Sequence, residues 1–210
     1  MKEKNMTSNI ILPGSHTSYY ANRPITLCSD FYLSGTIGRP EEYIEWFDII
    51  RNANEGDLIR IHINSPGGDL FTAIQFMRVL SDCRGTILTS VEGQCMSAAT
   101  LIFLFSDMYE VSEHSAFMFH NYSGGSIGKG GEMYEQVLYE KIWSEKLMYD
   151  VYGDFLTDKE IAEMMDNKDI WMDGDEVAKR IEKRAKKTEK KMKKLAKQAE
   201  KLAPTIGEKE

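Results

Sequence analysis

Apolar and polar residues alternate in several short segments of the chain, and most of these segments are followed by a stretch with helical spacing. The clearest pair is residues 58–64, where every second residue is apolar, and residues 70–82, where apolar residues recur at three- and four-residue steps. The same patterns predict strands over residues 25–28, 31–37, 86–92, 109–111 and 116–120, and helices over residues 40–54, 97–105, 132–151 and 157–165. Such alternation is typical of an α/β core with parallel strands and covering helices.

The two ends of the chain differ from this core. Residues 1–24 are polar and irregular, which predicts a flexible N-terminal arm ahead of a domain spanning residues 25–178. Residues 179–201 contain twelve Lys or Arg and three Glu, a net charge of +9, whereas the whole chain carries −7 and the remainder therefore −16. Asp173 and Glu176 form a capping-box pattern that predicts a long basic helix leading into an extension over residues 179–210.

This basic helix is interpreted first as a solvated extension, with docking against a partner or a neighbouring subunit as the alternative. Its lysines are not interleaved with aromatic residues, so nucleic-acid binding is not expected. No apolar run is long enough to cross a bilayer, and none follows the N-terminus with the length of a signal peptide. Three irregularly spaced cysteines, with no CxxC pair, indicate a reducing compartment, and we expect a cytoplasmic protein without metal or cofactor.

Two junctions between a predicted strand and a predicted helix carry the candidate chemistry. The first is SPGG at residues 65–68, where proline fixes φ and two glycines permit backbone that other residues avoid. The second is GQCMSAA at residues 93–99, which puts Ser97 at a helix start. Of the four histidines, His120 follows the apolar run 116–119 and precedes a glycine-containing segment. Two turns with free backbone amides, a serine and a histidine are the components of an acyl-transfer site.

These motifs occur in the order SPGG, GQxxS, FMFHxxxGG and an aspartate, Asp169, before an aromatic–Met pair. Over residues 25–178 this order resembles the proteolytic subunit of the ATP-dependent Clp protease. The intervals, 23 residues from Ser97 to His120 and 49 from His120 to Asp169, suit the same register. The resemblance implies Ser97 as nucleophile, His120 as base and Asp169 as the residue that orients the base. It also implies that the backbone N–H groups of Gly68 and Ala98 bind the oxyanion.

The resemblance implies a ClpP/crotonase-like fold, a superhelix of repeated ββα units with a protruding strand–helix handle, followed here by the basic C-terminal helix. Part of the apolar stripe over residues 132–151 is then expected to be a subunit interface rather than core. The implied assembly is a homo-oligomer of stacked heptameric rings with the sites inside a chamber. Its implied substrates are unfolded polypeptides, delivered by an AAA+ unfoldase, because the chain has no P-loop of its own.

Each candidate has an ordinary structural alternative. Ser97 could be an N-cap, His120 a strand-end histidine, and Asp169 one acid among 33 Asp and Glu. Cys95, two residues before Ser97, could be proposed as a thiol nucleophile but is interpreted as packing. Taken together, in this order and beside SPGG, the residues favour a Ser–His–Asp site.

Several positions depart from the family pattern. Ala99 replaces a glycine after the nucleophile, the sequence Asn121-Tyr122 replaces a proline-containing turn, and the closing strand after residue 178 is absent. These changes weaken the case for a standard unfoldase and suit an unorthodox member, such as a phage-encoded protease of capsid maturation. Two other classes stay open: a crotonase-like acyl-CoA hydratase or isomerase, which would not need Ser97 with His120, and a catalytically silent ring subunit.

Overall fold

A computed structural model of the chain describes residues 26–125 and 127–202. The predicted N-terminal arm, residues 1–24, lies outside them. Across the described residues the chain forms six strands: β1 Cys28–Ser34, β2 Leu58–Ser65, β3 Thr86–Met96, β4 Met108–Val111, β5 Ala116–Phe119 and β6 Ile170–Asp173. The helices, after a 3-10 turn at Pro40–Tyr43, are α1 Ile44–Asn52, α2 Leu70–Ser81, α3 Ala98–Leu104, α4 Gly130–Tyr152, α5 Asp158–Met165 and α6 Gly174–Leu202.

The strands form one sheet in the order β1-β2-β3-β5-β6, with β4 also pairing to β3. Strands β1, β2 and β3 are parallel, and β4 and β5 pair in parallel with successive halves of the long strand β3. The predicted α/β class with parallel strands is thereby confirmed. Strand β6 runs antiparallel to β5 and was not predicted. Its four residues are too few for alternation alone to distinguish a strand from a loop.

One face of the sheet is covered by α1, α2 and α3, and the core lies between them. In β2 the alternate residues Ile59, Ile61 and Ile63 are fully buried, as the pattern predicts. Each such side chain contributes roughly 1.5–3 kcal/mol on burial. Helix α2 begins at its predicted position because the Asp69 side chain accepts a hydrogen bond from the Thr72 N–H at 2.7 Å.

Helix α4 has two different halves. Toward its start it exposes an apolar stripe, whose members are Tyr134, Val137, Leu138, Tyr139 and Ile142. At its end Met148, Val151 and Tyr152 are buried in the core. The stripe predicted from the sequence is therefore core at one end and open surface at the other.

The strand of the expected strand–helix handle is not formed: the described residues between Phe119 and Gly130 contain no strand. A strand needs a neighbour to accept its backbone hydrogen bonds, and the glycines Gly124, Gly125 and Gly128 favour irregular backbone over an unpaired extended segment. The handle is thus the exposed half of α4, preceded by a loop.

The C-terminal helix α6 runs without a break across the predicted boundary at residues 178–179. Its start is capped as predicted, since the Glu176 N–H donates to the Asp173 side chain at 2.8 Å. Arg180 ties the helix to α5 through two 2.8 Å hydrogen bonds to the Glu160 carboxylate. Farther along, Met192 and Leu195 are exposed. No described helix is both long and apolar enough to cross a membrane.

The Arg180–Glu160 contact makes the docking of α6 depend on pH. Hydrogen bonds from Arg180 lower the pKa of Glu160 from 4.5 to about 2. The contact therefore stabilises the fold fully above pH 4.5, and this contribution is lost as the pH falls toward 2. Glu160→Gln should lower the free energy of unfolding by about 1–2 kcal/mol at pH 7. Its deficit relative to wild type should shrink between pH 4.5 and 2 in denaturant titrations.

Glu163→Gln is the matched control for this prediction, because Glu163 lies on the same helix and pairs with Lys168 at the surface. It should change stability little at any pH. A deficit of Glu160→Gln that stayed constant across this pH range would show that the charge of Glu160 does not hold α6.

Candidate active site

Ser97 is the single residue between β3 and α3, and its backbone is strained. Its φ of 53° and ψ of −128° lie where residues with a side chain are rarely found. Its N–H donates to the Met118 carbonyl of β5 at 2.8 Å, which fixes the turn against the neighbouring strand. The Ser97 side chain makes no capping hydrogen bond to α3. The N-cap alternative is therefore not formed, and the hydroxyl is available for other contacts.

The SPGG turn packs directly against Ser97. A Cβ placed on Gly67, which has a φ of 95°, would lie 2.6 Å from the Ser97 Cβ and 2.7 Å from the Met96 carbonyl oxygen. Gly68 is equally constrained, because a Cβ there would lie 2.3 Å from the Ile37 carbonyl oxygen. The two glycines are required by close approach as well as by backbone conformation.

Two backbone N–H groups beside Ser97 are without hydrogen-bond partners among the described residues. Around Gly68, the Ile37 N–H donates to the Gly67 carbonyl at 2.8 Å and the Asp69 N–H to the Ile37 carbonyl at 2.9 Å. This parallel bridge leaves the Gly68 N–H itself unused. The Ala98 N–H is the first of α3 and so has no acceptor within the helix. Both are the donors that the family resemblance implies.

The imidazole of His120 meets the Ser97 hydroxyl, with Nε2 and Oγ 2.5 Å apart. The contact arises because β5 lies beside the end of β3, where Met118 is paired with Met96. Ser97 directly follows Met96, and His120 follows Met118 by two residues. The parallel pairing of β3 and β5 therefore brings Ser97 and His120 together, although they are 23 positions apart in the sequence. Both side chains are half-buried. A neutral imidazole in this position can accept the serine proton.

Asp169 directly precedes β6, as His120 directly follows β5, but the two side chains are not hydrogen-bonded. Strands β5 and β6 pair Phe119 with Ile170, so the next step of this antiparallel register sets residue 120 opposite residue 169. Cross-strand neighbours share a face of the sheet, with Cβ atoms about 4.5–5.5 Å apart. Asp169 is exposed, and within the described part of the chain its carboxylate makes no hydrogen bond. Among the described residues the structure therefore joins Ser97 with His120 and does not join Asp169 to either of them.

Cys95 has the environment of a packing residue. It is fully buried in β3, and this burial raises the pKa of its thiol well above 9.0. A thiol held in its protonated form is a poor nucleophile.

Three aromatic residues contact one another near Ser97 and His120 in the sequence of elements, and the sequence patterns did not predict that they form a group. The Phe71 ring of α2 stacks on Trp143 of α4 at 5.7 Å, and Trp143 meets Tyr122 edge-on at 6.4 Å. Tyr122 follows His120 by two residues, and its hydroxyl donates to Glu140 at 3.0 Å. Phe71, although 68% exposed, gave no sequence signal because it sits within an ordinary apolar helix pattern.

The chain is similar to a known protein family. A protein-family model described as Clp protease matches residues 41–183, about two thirds of the 210 residues. No curated protein is significantly similar to the chain. The matched segment contains both glycines of the SPGG turn together with Ser97, His120 and Asp169.

The close approach of Gly67 to Ser97 predicts a sharp response to one added methyl group. Gly67→Ala should lower the free energy of unfolding by about 2–4 kcal/mol, because the Cβ overlaps the turn and φ is positive. It should also abolish labelling of Ser97 by a fluorophosphonate probe, followed by mass spectrometry. Gly125→Ala is the control, since nothing lies within 4 Å of its added Cβ. Normal labelling of Gly67→Ala would contradict the packing described here.

Proposed function

The chain belongs to the Clp protease family, and on that premise we propose that it is a serine endopeptidase with Ser97 as nucleophile and His120 as base. The observation that carries this proposal is the 2.5 Å contact between the His120 Nε2 and the Ser97 Oγ. A serine hydroxyl is a weak nucleophile at neutral pH and needs a base at this distance. Asp169 is proposed as the third residue, which orients the imidazole and stabilises its protonated form.

In the proposed acylation step, the Ser97 Oγ attacks the carbonyl carbon of a peptide bond while His120 takes the hydroxyl proton. The carbonyl oxygen becomes an oxyanion, which the N–H groups of Gly68 and Ala98 stabilise. Losing one donor of this kind costs about 10²–10³ in rate. His120 then gives its proton to the leaving amine, and the C–N bond breaks to leave an acyl-enzyme.

In the proposed deacylation step, water attacks the ester carbonyl of the acyl-enzyme. His120 takes a proton from that water, the same two N–H groups hold the second oxyanion, and Ser97 Oγ recovers its proton as the carboxylic acid product leaves. The aromatic residues Phe71, Tyr122 and Trp143 are proposed as an apolar surface for substrate side chains.

The enzyme is proposed to work as a homo-oligomer of stacked rings with its sites facing an internal chamber. The exposed apolar stripe of α4 supports this, because monomers rarely leave so many large apolar side chains on one helix face. Unfolded polypeptides are the proposed substrates, since a chamber admits extended chains more readily than folded domains. An AAA+ unfoldase on a separate chain is the proposed source of ATP dependence, and the cytoplasm is the proposed compartment.

No specific observation favours the acyl-CoA alternative. Hydratases and isomerases of that class use carboxylates as acid and base and have no use for a serine bonded to histidine. The contact between Ser97 and His120 therefore argues for hydrolysis through an acyl-enzyme.

Substitutions at two of the three proposed catalytic residues, Ser97 and Asp169, test this function. Ser97→Ala should abolish both cleavage of short fluorogenic peptides and labelling by a fluorophosphonate probe. Asp169→Asn should lower kcat by about 10²–10⁴-fold, because the imidazole loses its orienting partner. Asp166→Asn, an exposed acid on the same turn, should keep wild-type kcat. Peptide cleavage that survives in pure Ser97→Ala would refute the proposed nucleophile.

The proposed use of the α4 stripe predicts an assembly defect. Ile142, 72% exposed, should contact the facing ring, so Ile142→Asp should convert stacked rings into single rings by placing a charge in an apolar interface. Sedimentation velocity should then show about half the wild-type particle mass. Met192→Asp, at a residue 63% exposed on α6, is the control and should leave the mass unchanged. Wild-type mass for Ile142→Asp would argue against this interface.

A further inference from the structure

Two buried hydroxyls form a hydrogen-bonded chain that ends on the backbone of Ser97. The Tyr152 hydroxyl, at the end of α4, lies 2.7 Å from the Thr100 Oγ1, and this Oγ1 lies 2.6 Å from the Ser97 carbonyl oxygen. Thr100 is 0% exposed and Tyr152 is 1% exposed. Thr100 and Tyr152 are 52 residues apart in the sequence, and their hydrogen bond joins the end of α4 to the turn that carries the proposed nucleophile.

The direction of both hydrogen bonds follows from the groups involved. A carbonyl oxygen can only accept, so the single hydroxyl proton of Thr100 lies on the bond to Ser97. The Thr100 Oγ1 must then accept from the Tyr152 hydroxyl. Burial raises the pKa of Tyr152, which keeps this phenol protonated and able to donate. The order of donation is therefore Tyr152 to Thr100 to Ser97. Both hydroxyl groups and the Ser97 carbonyl have hydrogen-bond partners in this arrangement.

This chain sets the orientation of the Ala98 N–H. The Ser97 carbonyl and the Ala98 N–H belong to one planar peptide unit, and the described residues contain no cis peptide bond. In a trans unit the two groups point in opposite directions. A carbonyl held by the Thr100 hydroxyl at 2.6 Å and by the Thr100 N–H at 2.9 Å therefore fixes where the Ala98 N–H points. The strained φ of Ser97 makes such an anchor necessary.

We propose that Thr100 and Tyr152 are positioning residues, which aim the Ala98 N–H at the oxyanion through the Ser97 carbonyl. This inference rests on the proposed function, because it takes Ser97 as nucleophile and Ala98 as an oxyanion donor. Tyr152 also packs edge-on against Phe119 at 5.6 Å, and Phe119 precedes His120. One aromatic side chain thus supports the segments that carry both the nucleophile and the base.

Tyr152→Phe tests the hydroxyl while keeping the ring that packs on Phe119. Misorienting a donor should cost less than deleting it, so kcat for a short peptide should fall about tenfold with KM unchanged. Affinity for a peptide aldehyde, whose adduct with Ser97 carries the oxyanion, should fall by the same factor as kcat/KM. Tyr149→Phe is the matched control, because this tyrosine lies one turn earlier on α4 and is 42% exposed. It should match wild type in both measurements.

Substitutions at Thr100 test the second link. Thr100→Val removes the hydroxyl at nearly constant volume and should reduce kcat and aldehyde affinity at least as much as Tyr152→Phe. Thr100→Ser keeps the hydroxyl and should therefore have the kcat and the aldehyde affinity of the wild type. The double variant Thr100→Val with Tyr152→Phe leaves no buried hydroxyl unpaired, so it should recover stability without recovering kcat. It thereby separates positioning from folding.

The outcomes divide cleanly. Parallel losses in kcat/KM and aldehyde affinity, with rescue by Thr100→Ser, support the positioning role. A lower melting temperature with unchanged kcat and aldehyde affinity overturns it, since the hydroxyls would then serve only the fold. Peptide cleavage that persists in Ser97→Ala would refute the proposed function itself, whatever the Thr100 and Tyr152 variants do.

Discussion

The structure depends on keeping Ser97 in a backbone conformation that it would not adopt alone. Such a backbone conformation costs about 1–3 kcal/mol and persists only where several surrounding contacts hold it in place. Three contacts do so here: Gly67 packs against the turn from one side, the Met118 carbonyl holds the Ser97 N–H, and Thr100 holds the Ser97 carbonyl. The sheet order brings these contacts together, because the glycine turn follows β2, and β5 contains Met118 and leads to His120.

The sequence predicts the parts of this site whose signal is local. SPGG indicates a turn in which two glycines allow close packing of the backbone. The apolar run before His120 indicates a strand that places His120 at an end of the sheet. What cannot be predicted depends on distant pairs. Thr100 looks like an interruption in an apolar helix, and Tyr152 falls one residue beyond the helix predicted over residues 132–151. Only the distance of 2.7 Å between their hydroxyl oxygens shows the link. Strand β6 is likewise too short to be predicted, although its register decides where Asp169 lies.

The distribution of exposed side chains distinguishes two surfaces. The sheet face away from α1–α3 carries a group of polar residues bonded around His62. This imidazole contacts Glu92 at 2.7 Å and Asp30 at 3.2 Å, and stacks on Tyr32 at 4.5 Å. Parallel sheets are ordinarily covered on both faces, so this bonded polar layer lets the open face meet water. The stripe on α4 has no such compensation, because its exposed members are apolar or aromatic. The α4 stripe is therefore the surface that we propose for association with a neighbouring subunit.

Helix α4 consequently meets two demands with one segment of chain. Its first half exposes the stripe that we propose as a subunit interface, whereas its last turn is buried and hydrogen-bonded at Tyr152. A helix is stiff over this length, since each turn is hydrogen-bonded to the next, so its two halves cannot reorient independently without breaking backbone bonds. Gly153 follows Tyr152 as the C-cap of the helix, where an added Cβ would lie 2.6 Å from the Tyr149 carbonyl oxygen. The helix is therefore anchored at the end that is hydrogen-bonded to the turn of Ser97, and it exposes its apolar stripe toward the other end.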